Sequence, residues 1–247
     1  MKKILVTLLF AIICAKGFAQ TAIYSVTGTE FILSFSQFDV YDSKNGRCAR
    51  FSPWFNLQQS VHFDVGQIVG FTAGLSVKNI GLIHKTVDPS IIDESFSNHT
   101  ITKKFRTYNL GIPVSFKIGS LDQFYLYGGY EFEVPLNYKE KTFVNNKKTK
   151  YDSEWFSEKT PLYTHSVFLG LNFPYHFGIK VRYYLTEFFN PDCTYMVPDI
   201  PEVTYSDFHA RNFYISLTYD LFENFRSYYN GPRVRKDKKE EIQYYYE

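Results

Sequence analysis

The chain has 247 residues, with 27 basic against 25 acidic side chains, so its charge recommends no nucleic-acid partner and its length suits one barrel-sized domain. Its 25 Phe, 21 Tyr and 2 Trp make 19% of the residues aromatic, a composition suited to β-strands. Beyond residue 19 no run of about 18 apolar residues occurs, which excludes a helical membrane span on length.

The opening MKKILVTLLFAIICAKGFAQ has the build of a secretory signal peptide. Lys2 and Lys3 form a positive start, Ile4 to Ala15 an apolar run, and Gly17-Phe18-Ala19 a small-residue cleavage site, so residues 1–19 are expected to be removed. Strand-like segments follow at about 30–41, 50–64, 68–86, 101–118, 123–140, 163–173, 176–189 and 209–222. In "RNFYISLTYDLF" (211–222), Phe213, Ile215, Leu217, Tyr219 and Leu221 share one side, opposite Asn212, Tyr214, Ser216, Thr218 and Asp220. In "FYLYGGYEFEVPLNY" (124–138) the apolar face runs Phe124, Leu126, Tyr130, Phe132, Val134, Leu136 and Tyr138. Opposite it lie Tyr125, Tyr127, Gly129, Glu131, Glu133, Asn137 and, just beyond, Lys139. Such alternation has the period of a strand, not of a helix.

The links between these segments alternate longer and shorter along the whole chain: 42–49, 65–67, 87–100, 119–122, 141–162, 174–175 and 190–208. An even number of antiparallel strands then gathers the long links at one end and the tight turns, with both termini, at the other. That is the asymmetry of bacterial outer-membrane barrels, whose turns are periplasmic and whose loops are extracellular. Several segments also exceed the five or six residues usual in a soluble sheet. The expectation is an all-β chain, an eight-stranded antiparallel transmembrane β-barrel over 20–229, followed by a charged periplasmic tail over 230–247. A soluble β-sandwich or lipocalin-like barrel is the rival, with the two faces exchanged. The mean hydropathy of -0.25 does not separate them, because a membrane barrel has a polar interior.

A resemblance points the same way. "FSPWFNLQQSVHFDVGQIVGFTAGLSVKNIGLIHK" (51–85), "YNLGIPVSFKIG" (108–119) and "YLYGGYEFEVPLNYKEK" (125–141) resemble outer-membrane β-barrel proteins of Bacteroidetes in the broad PorT-like family. A few members of that family resemble parts of a secretion machinery. The resemblance implies an outer-membrane location and carries over no catalytic residue.

With the apolar rows facing lipid, the inward set includes Lys78, Lys117, Glu131, Glu133, Lys180 and Arg182. Charges withdrawn from water need partners, so these are expected to neutralise one another across the lumen. A small-solute transporter or channel is the functional alternative, though an eight-strand interior is only wide enough for side chains or one small ligand. Gly66, Gly70, Gly74 and the pair Gly128-Gly129 read as bends, bulges or places of close approach.

Cys48 and Cys193 fall in the first and last long links, which emerge side by side in a closed barrel. A disulfide between them suits an oxidising periplasm, and two free thiols are the alternative. Ser206, Asp207 and His209 are the residues for a membrane-embedded lipid acyl hydrolase or transferase, a chemistry that demands Ser and His in contact. His165 and Ser166 are adjacent on a strand and face opposite ways.

The segment 141–162 is the most distinctive link, with Lys147, Lys148 and Lys150 followed by Trp155 and Phe156. Charge and aromatic anchors of this kind suit an anionic glycolipid or another envelope protein. The expected role is therefore that of a non-enzymatic envelope interaction or assembly component. It needs no cofactor or metal, and its surroundings are outer-membrane lipid.

Overall fold

The computed structural model describes residues 21–40, 43–44, 48–86, 101–196, 204–224 and 227–229, with side chains for all of these except 37–40, 43–44, 48, 85–86, 101 and 227–229. The expected signal peptide, the 87–100 link and the tail over 230–247 lie outside the described residues. Twelve strands are present among the described residues. They are β1 (Thr21–Val40), β2 (Ser43–Lys44), β3 (Cys48–Ser52), β4 (Leu57–Val65), β5 (Val69–Thr86) and β6 (Ile101–Ser120), then β7 (Phe124–Val144), β8 (Lys147–Trp155), β9 (Thr164–Asn172), β10 (Phe177–Tyr184), β11 (Phe208–Glu223) and β12 (Ser227–Tyr229).

Eight of these form a closed antiparallel ring in the order β1, β4, β5, β6, β7, β9, β10, β11, with β11 returning to β1. Closure pairs Leu33 with Ile215 and Phe35 with Phe213, so no long edge is left open between the first and last ring strands. The remaining four are attachments. β3 continues the β1 ladder above β4, β8 lies on the far half of β7, and β2 and β12 extend the two ends of β1.

Four boundaries differ from the sequence reading. The first strand, expected from about residue 30, already begins at Thr21. The segment 50–64 is split into β3 and β4, because Pro53 has no N–H to give the ladder and Phe55 turns the chain in a left-handed conformation with φ of 63°. The link 141–162 is largely a β-hairpin. β7 runs on to Val144, Asn145 and Asn146 turn with φ of 48° and 64°, and β8 returns antiparallel. Two successive positive φ angles make the tight turn whose twist matches its flanking strands, and Asn tolerates them better than most residues. The segment 176–189 stops pairing at Tyr184, and Phe188 and Phe189 turn into the barrel mouth.

The faces are settled strand by strand. On β11, Phe213, Ile215, Leu217 and Leu221 are exposed while Asn212, Tyr214 and Ser216 are buried. Around the ring the same rule exposes Leu33, Phe63, Leu75, Val114, Leu126, Leu169 and Val181. A row of large apolar side chains on every strand is a surface for lipid, since each would forgo roughly 1.5–3 kcal/mol by standing in water. The fold is an eight-stranded antiparallel β-barrel of the transmembrane kind.

Two face assignments change: Tyr138 turns inward and Lys139, expected inside, turns outward. A bulge sets Asn109 opposite Pro135 but Tyr108 opposite Asn137, leaving Leu136 as the extra residue of β7. Past it the alternation inverts: Tyr138 points inward and is buried, although its spacing from Phe124 places it on the lipid row.

Candidate functional site

The barrel interior is built of side chains stacked in levels, beginning at the tight-turn end. There Lys117 of β6 lies 2.6 Å from Asp64 of β4. Tyr24 donates to the same carboxylate at 2.8 Å, and Lys117 also reaches Tyr24 Oη at 3.2 Å and His62 Nδ1 at 3.1 Å. A cavity of about 70 Å³ lies beside this level, lined by Glu30, His62, Lys117, Tyr125, Tyr127 and Asp220 among others. It has room for a few waters, well short of the several hundred Å³ of a solute pocket.

The next level joins Lys180 of β10 to Glu30 of β1 at 2.5 Å, with Ser216 donating to Glu30 at 3.2 Å. Above it, Glu131 of β7 accepts from Ser76, Lys78 and Arg182 together. Glu133 accepts from Asn109 at 2.8 Å and from the Tyr184 hydroxyl at 2.9 Å, and lies 3.2 Å from Arg182 and 3.7 Å from Lys78. Arg182 donates further to Ser166 at 2.8 Å and stacks over Phe168 at 4.8 Å.

Lys78, Lys117, Glu131, Glu133, Lys180 and Arg182 are thus all placed inward, and all are buried. The partners absent from the sequence reading are Asp64 and Glu30. Both stand at inward positions of β4 and β1, and carrying the alternation of Ile32 and Ser34 back into 21–30 finds Glu30. Four cations then face four carboxylates, each within ion-pair reach of another. That leaves the interior close to neutral, the condition under which charge can stay buried.

An apolar plug closes the long-link end. Leu82, Phe105, Tyr138, Phe188, Phe189, Cys193, Tyr205, Phe208 and Ala210 form one buried cluster, in which Phe105 and Phe189 meet edge to face at 5.1 Å. Its polar rim is tied by Glu140, which accepts from Tyr205 at 2.5 Å and Tyr138 at 2.9 Å and pairs with Lys103 at 3.2 Å. Ion pairs below and aromatic packing above fill the lumen, so no continuous wet path passes Glu131, Glu133, Lys180 and Arg182 among the described residues.

Cys193 is a buried free thiol within that plug, and the side chain of Cys48, its expected partner, lies outside the described residues. Ser206 and His209 do not meet. Ser206 shares a hydrogen bond with Thr204 at 2.6 Å, Asp207 accepts from Thr204, and His209 points outward to Glu187 at 3.0 Å. His165 turns outward, beside Tyr130, while Ser166 serves Arg182 inside. Among the described residues no group of three or more His, Cys, Asp and Glu is arranged to hold a metal ion.

The β7–β8 hairpin projects beyond the ring and divides the expected interaction residues. Lys147, Lys148 and Lys150 sit next to its turn, whereas Trp155 and Phe156 lie at its base, 71% and 66% exposed on the outer wall. Lys159 clamps the hairpin to the mouth, bonding Asp152 at 2.6 Å and Glu154 at 2.8 Å beneath the Tyr138 and Tyr205 rings. Burial opposes both charges of this clamp. The Asp152 and Glu154 contacts nevertheless hold the Lys159 ammonium above its ordinary range, and the Lys159 hydrogen bond holds the Asp152 carboxyl below its own.

No protein-family model matches the chain, and no curated protein does. Among solved structures it is similar to Ail, the attachment invasion locus protein of Yersinia pestis, in a complex with the heparin analogue sucrose octasulfate. That match has 11% identity, 82% of this chain covered, 98% of that one, and a TM-score of 0.34. CarO2 of Acinetobacter baumannii is similar at 7% identity, 81% and 99% coverage and a TM-score of 0.36. OprG, an outer membrane protein of Pseudomonas aeruginosa, stands at 10%, 84% and 95%, and 0.28. Likeness at this level concerns barrel outline and transfers no functional residue.

Proposed function

We propose that the protein is a non-enzymatic outer-membrane barrel, an envelope interaction or assembly component that works through its outer wall and its long-link end. In this reading the long links are extracellular and both mature termini periplasmic. The observation that carries it is the contrast between the two surfaces. The interior is charge-paired and plugged, while the projecting hairpin holds Trp155 and Phe156 exposed at its base. A filled lumen argues against the transporter reading, and the separation of Ser206 from His209 argues against the acyl-transfer reading. Participation in secretion is the finer form of this role that the PorT-like resemblance suggests.

Cell fractionation tests the location, and electrophoresis of the membrane fraction with and without boiling tests the barrel. Outer-membrane recovery with heat-modifiable mobility is expected, and a soluble periplasmic protein overturns the reading. A photo-crosslinking residue at Trp155 in living cells tests the role. Discrete adducts to an envelope protein or glycolipid are expected, and their absence at both Trp155 and Phe156 removes the interaction surface.

A further inference from the structure

We propose that Lys104, Arg106, Lys139, Lys141 and Lys148 form a binding site for the phosphorylated headgroup of an anionic glycolipid in the surrounding leaflet. The site rests on the membrane placement argued above and names a ligand class for the outer wall.

Inside the barrel each of the four central cations has a carboxylate within ion-pair distance. These five have none among the described residues. They occupy outward positions on the far halves of β6 and β7 and on β8, where the alternating neighbours Lys103, Phe105, Thr107, Tyr138 and Glu140 are buried. Register sets Lys104 directly opposite Lys141 and Arg106 directly opposite Lys139. Like charges facing across a ladder destabilise it, so two consecutive outward cationic pairs need an external anion. Arg106 Nε is itself buried without a hydrogen-bond partner, so no acceptor on the protein offsets the guanidinium there.

Aromatic rings hold the cations in place without neutralising them. Arg106 and Lys139 stand 5.4 and 5.2 Å from the Tyr108 ring, and Lys141 and Lys148 stand 5.7 and 4.6 Å from Tyr151. The height fits a headgroup. Down β6 from Arg106 the outward residues are Tyr108 and then the exposed Leu110, Ile112 and Val114 of the lipid row. At about 3.3 Å per residue, Arg106 lies roughly 7 Å beyond Tyr108, where phosphates meet an interfacial tyrosine.

The test uses the full mature chain reconstituted in zwitterionic-lipid nanodiscs carrying trace fluorescent lipid A, either with its phosphates or enzymatically stripped of them. The wild type is expected to retain the phosphorylated form and release the stripped one. Changing Lys104, Arg106, Lys139 and Lys141 to Gln should lower retention roughly a thousandfold, at the scale of surface cations near anionic lipid, and Arg106→Lys alone should keep most of it. Equal retention of the two lipids by the wild type overturns the site, as does undiminished retention by the fourfold variant. The wild-type comparison decides even where that variant fails to insert. Heat-modifiable mobility, measured on the same samples, reports the barrel separately. A wild type that never inserts overturns the membrane reading itself, and an inserted wild type indifferent to phosphate overturns only the site.

Discussion

Lys117 of β6 reaches Asp64 of β4 at 2.6 Å across the intervening strand, and the β5 residue in register with both is Gly70. A Cβ on Gly70 would lie 2.8 Å from Lys117 Cε and closer still to the Asp64 carboxylate. The missing side chain is therefore what lets the ion pair bridge two non-adjacent strands. Gly111 repeats the device between Ser76 and Glu133, beneath Glu131. Gly70→Val should part Lys117 from Asp64 while filling their space, at a cost of about 3 kcal/mol or more in urea unfolding from lipid vesicles. Gly128 faces outward, where a Cβ would meet Leu169 at 3.2 Å, and Gly128→Ala should cost less than about 1 kcal/mol. Equal effects at the two glycines would contradict this reading.

Glu131 is the acceptor on which Lys78 and Arg182 converge. Glu131→Gln should cost about 3–5 kcal/mol, because it leaves two buried cations with only Glu133. Glu131→Met combined with Arg182→Met removes both signs together and restores the balance. The double variant should therefore be more stable than the sum of the single losses, by a coupling of about 1–3 kcal/mol. Strict additivity in the double-mutant cycle would show that the residues do not act as one network.

The alternation was legible wherever a strand is regular. On β11, Phe213 to Leu221 give the lipid row directly, and Glu131, Glu133, Lys180 and Arg182 are inward by the same count. Legibility failed where one residue breaks the period. Leu136, the bulge residue, sends Tyr138 inward to Glu140, and nothing in the alternation around it announces the slip. The Asn145-Asn146 turn was readable as turn chemistry, yet the charged run beside it reads as loop, since a hairpin outside the ring needs no apolar face. The plug was beyond reach because Tyr205 belongs to a long link, where no period places a side chain, and Phe188 and Phe189, read as the end of the 176–189 strand, leave the ladder after Tyr184. Lys104, Arg106, Lys139 and Lys141 become a patch only through the register of β6 on β7.

The Lys159 clamp has a pH dependence whose direction follows from its partners. The folded state raises the Lys159 ammonium, so its contribution is present below its unfolded range and lost only as strongly alkaline pH passes its folded value. The Asp152 carboxyl is lowered, so its contribution is present above the ordinary Asp range and lost as acid passes its folded value. Hydrogen exchange of 150–160 should be flat, once corrected for intrinsic rates, between about pH 5 and 9, and should rise below about pH 4. Lys159→Met should raise exchange at every pH and remove the acid step. An acid step that survives in this variant would place its origin elsewhere.

Leu217 and Ser216 are neighbours on β11 that face opposite solvents. Ser216 is buried and donates to Glu30 at 3.2 Å, whereas Leu217 is 45% exposed in the outer row between Val181-paired Ile215 and Tyr219. In a membrane, Leu217→Arg puts a charge into hydrocarbon and should cost about 2–4 kcal/mol near the midplane, with less protein inserted into vesicles. Ser216→Ala removes one interior hydrogen bond and should cost about 1 kcal/mol. In a soluble barrel the order inverts, because an arginine on a water-facing wall lies within about 0.5 kcal/mol of neutral. Insertion and unfolding of the two variants side by side therefore decide which solvent the apolar row of β11 faces. A tolerated Leu217→Arg would return that row to water and withdraw the membrane from every argument built on it.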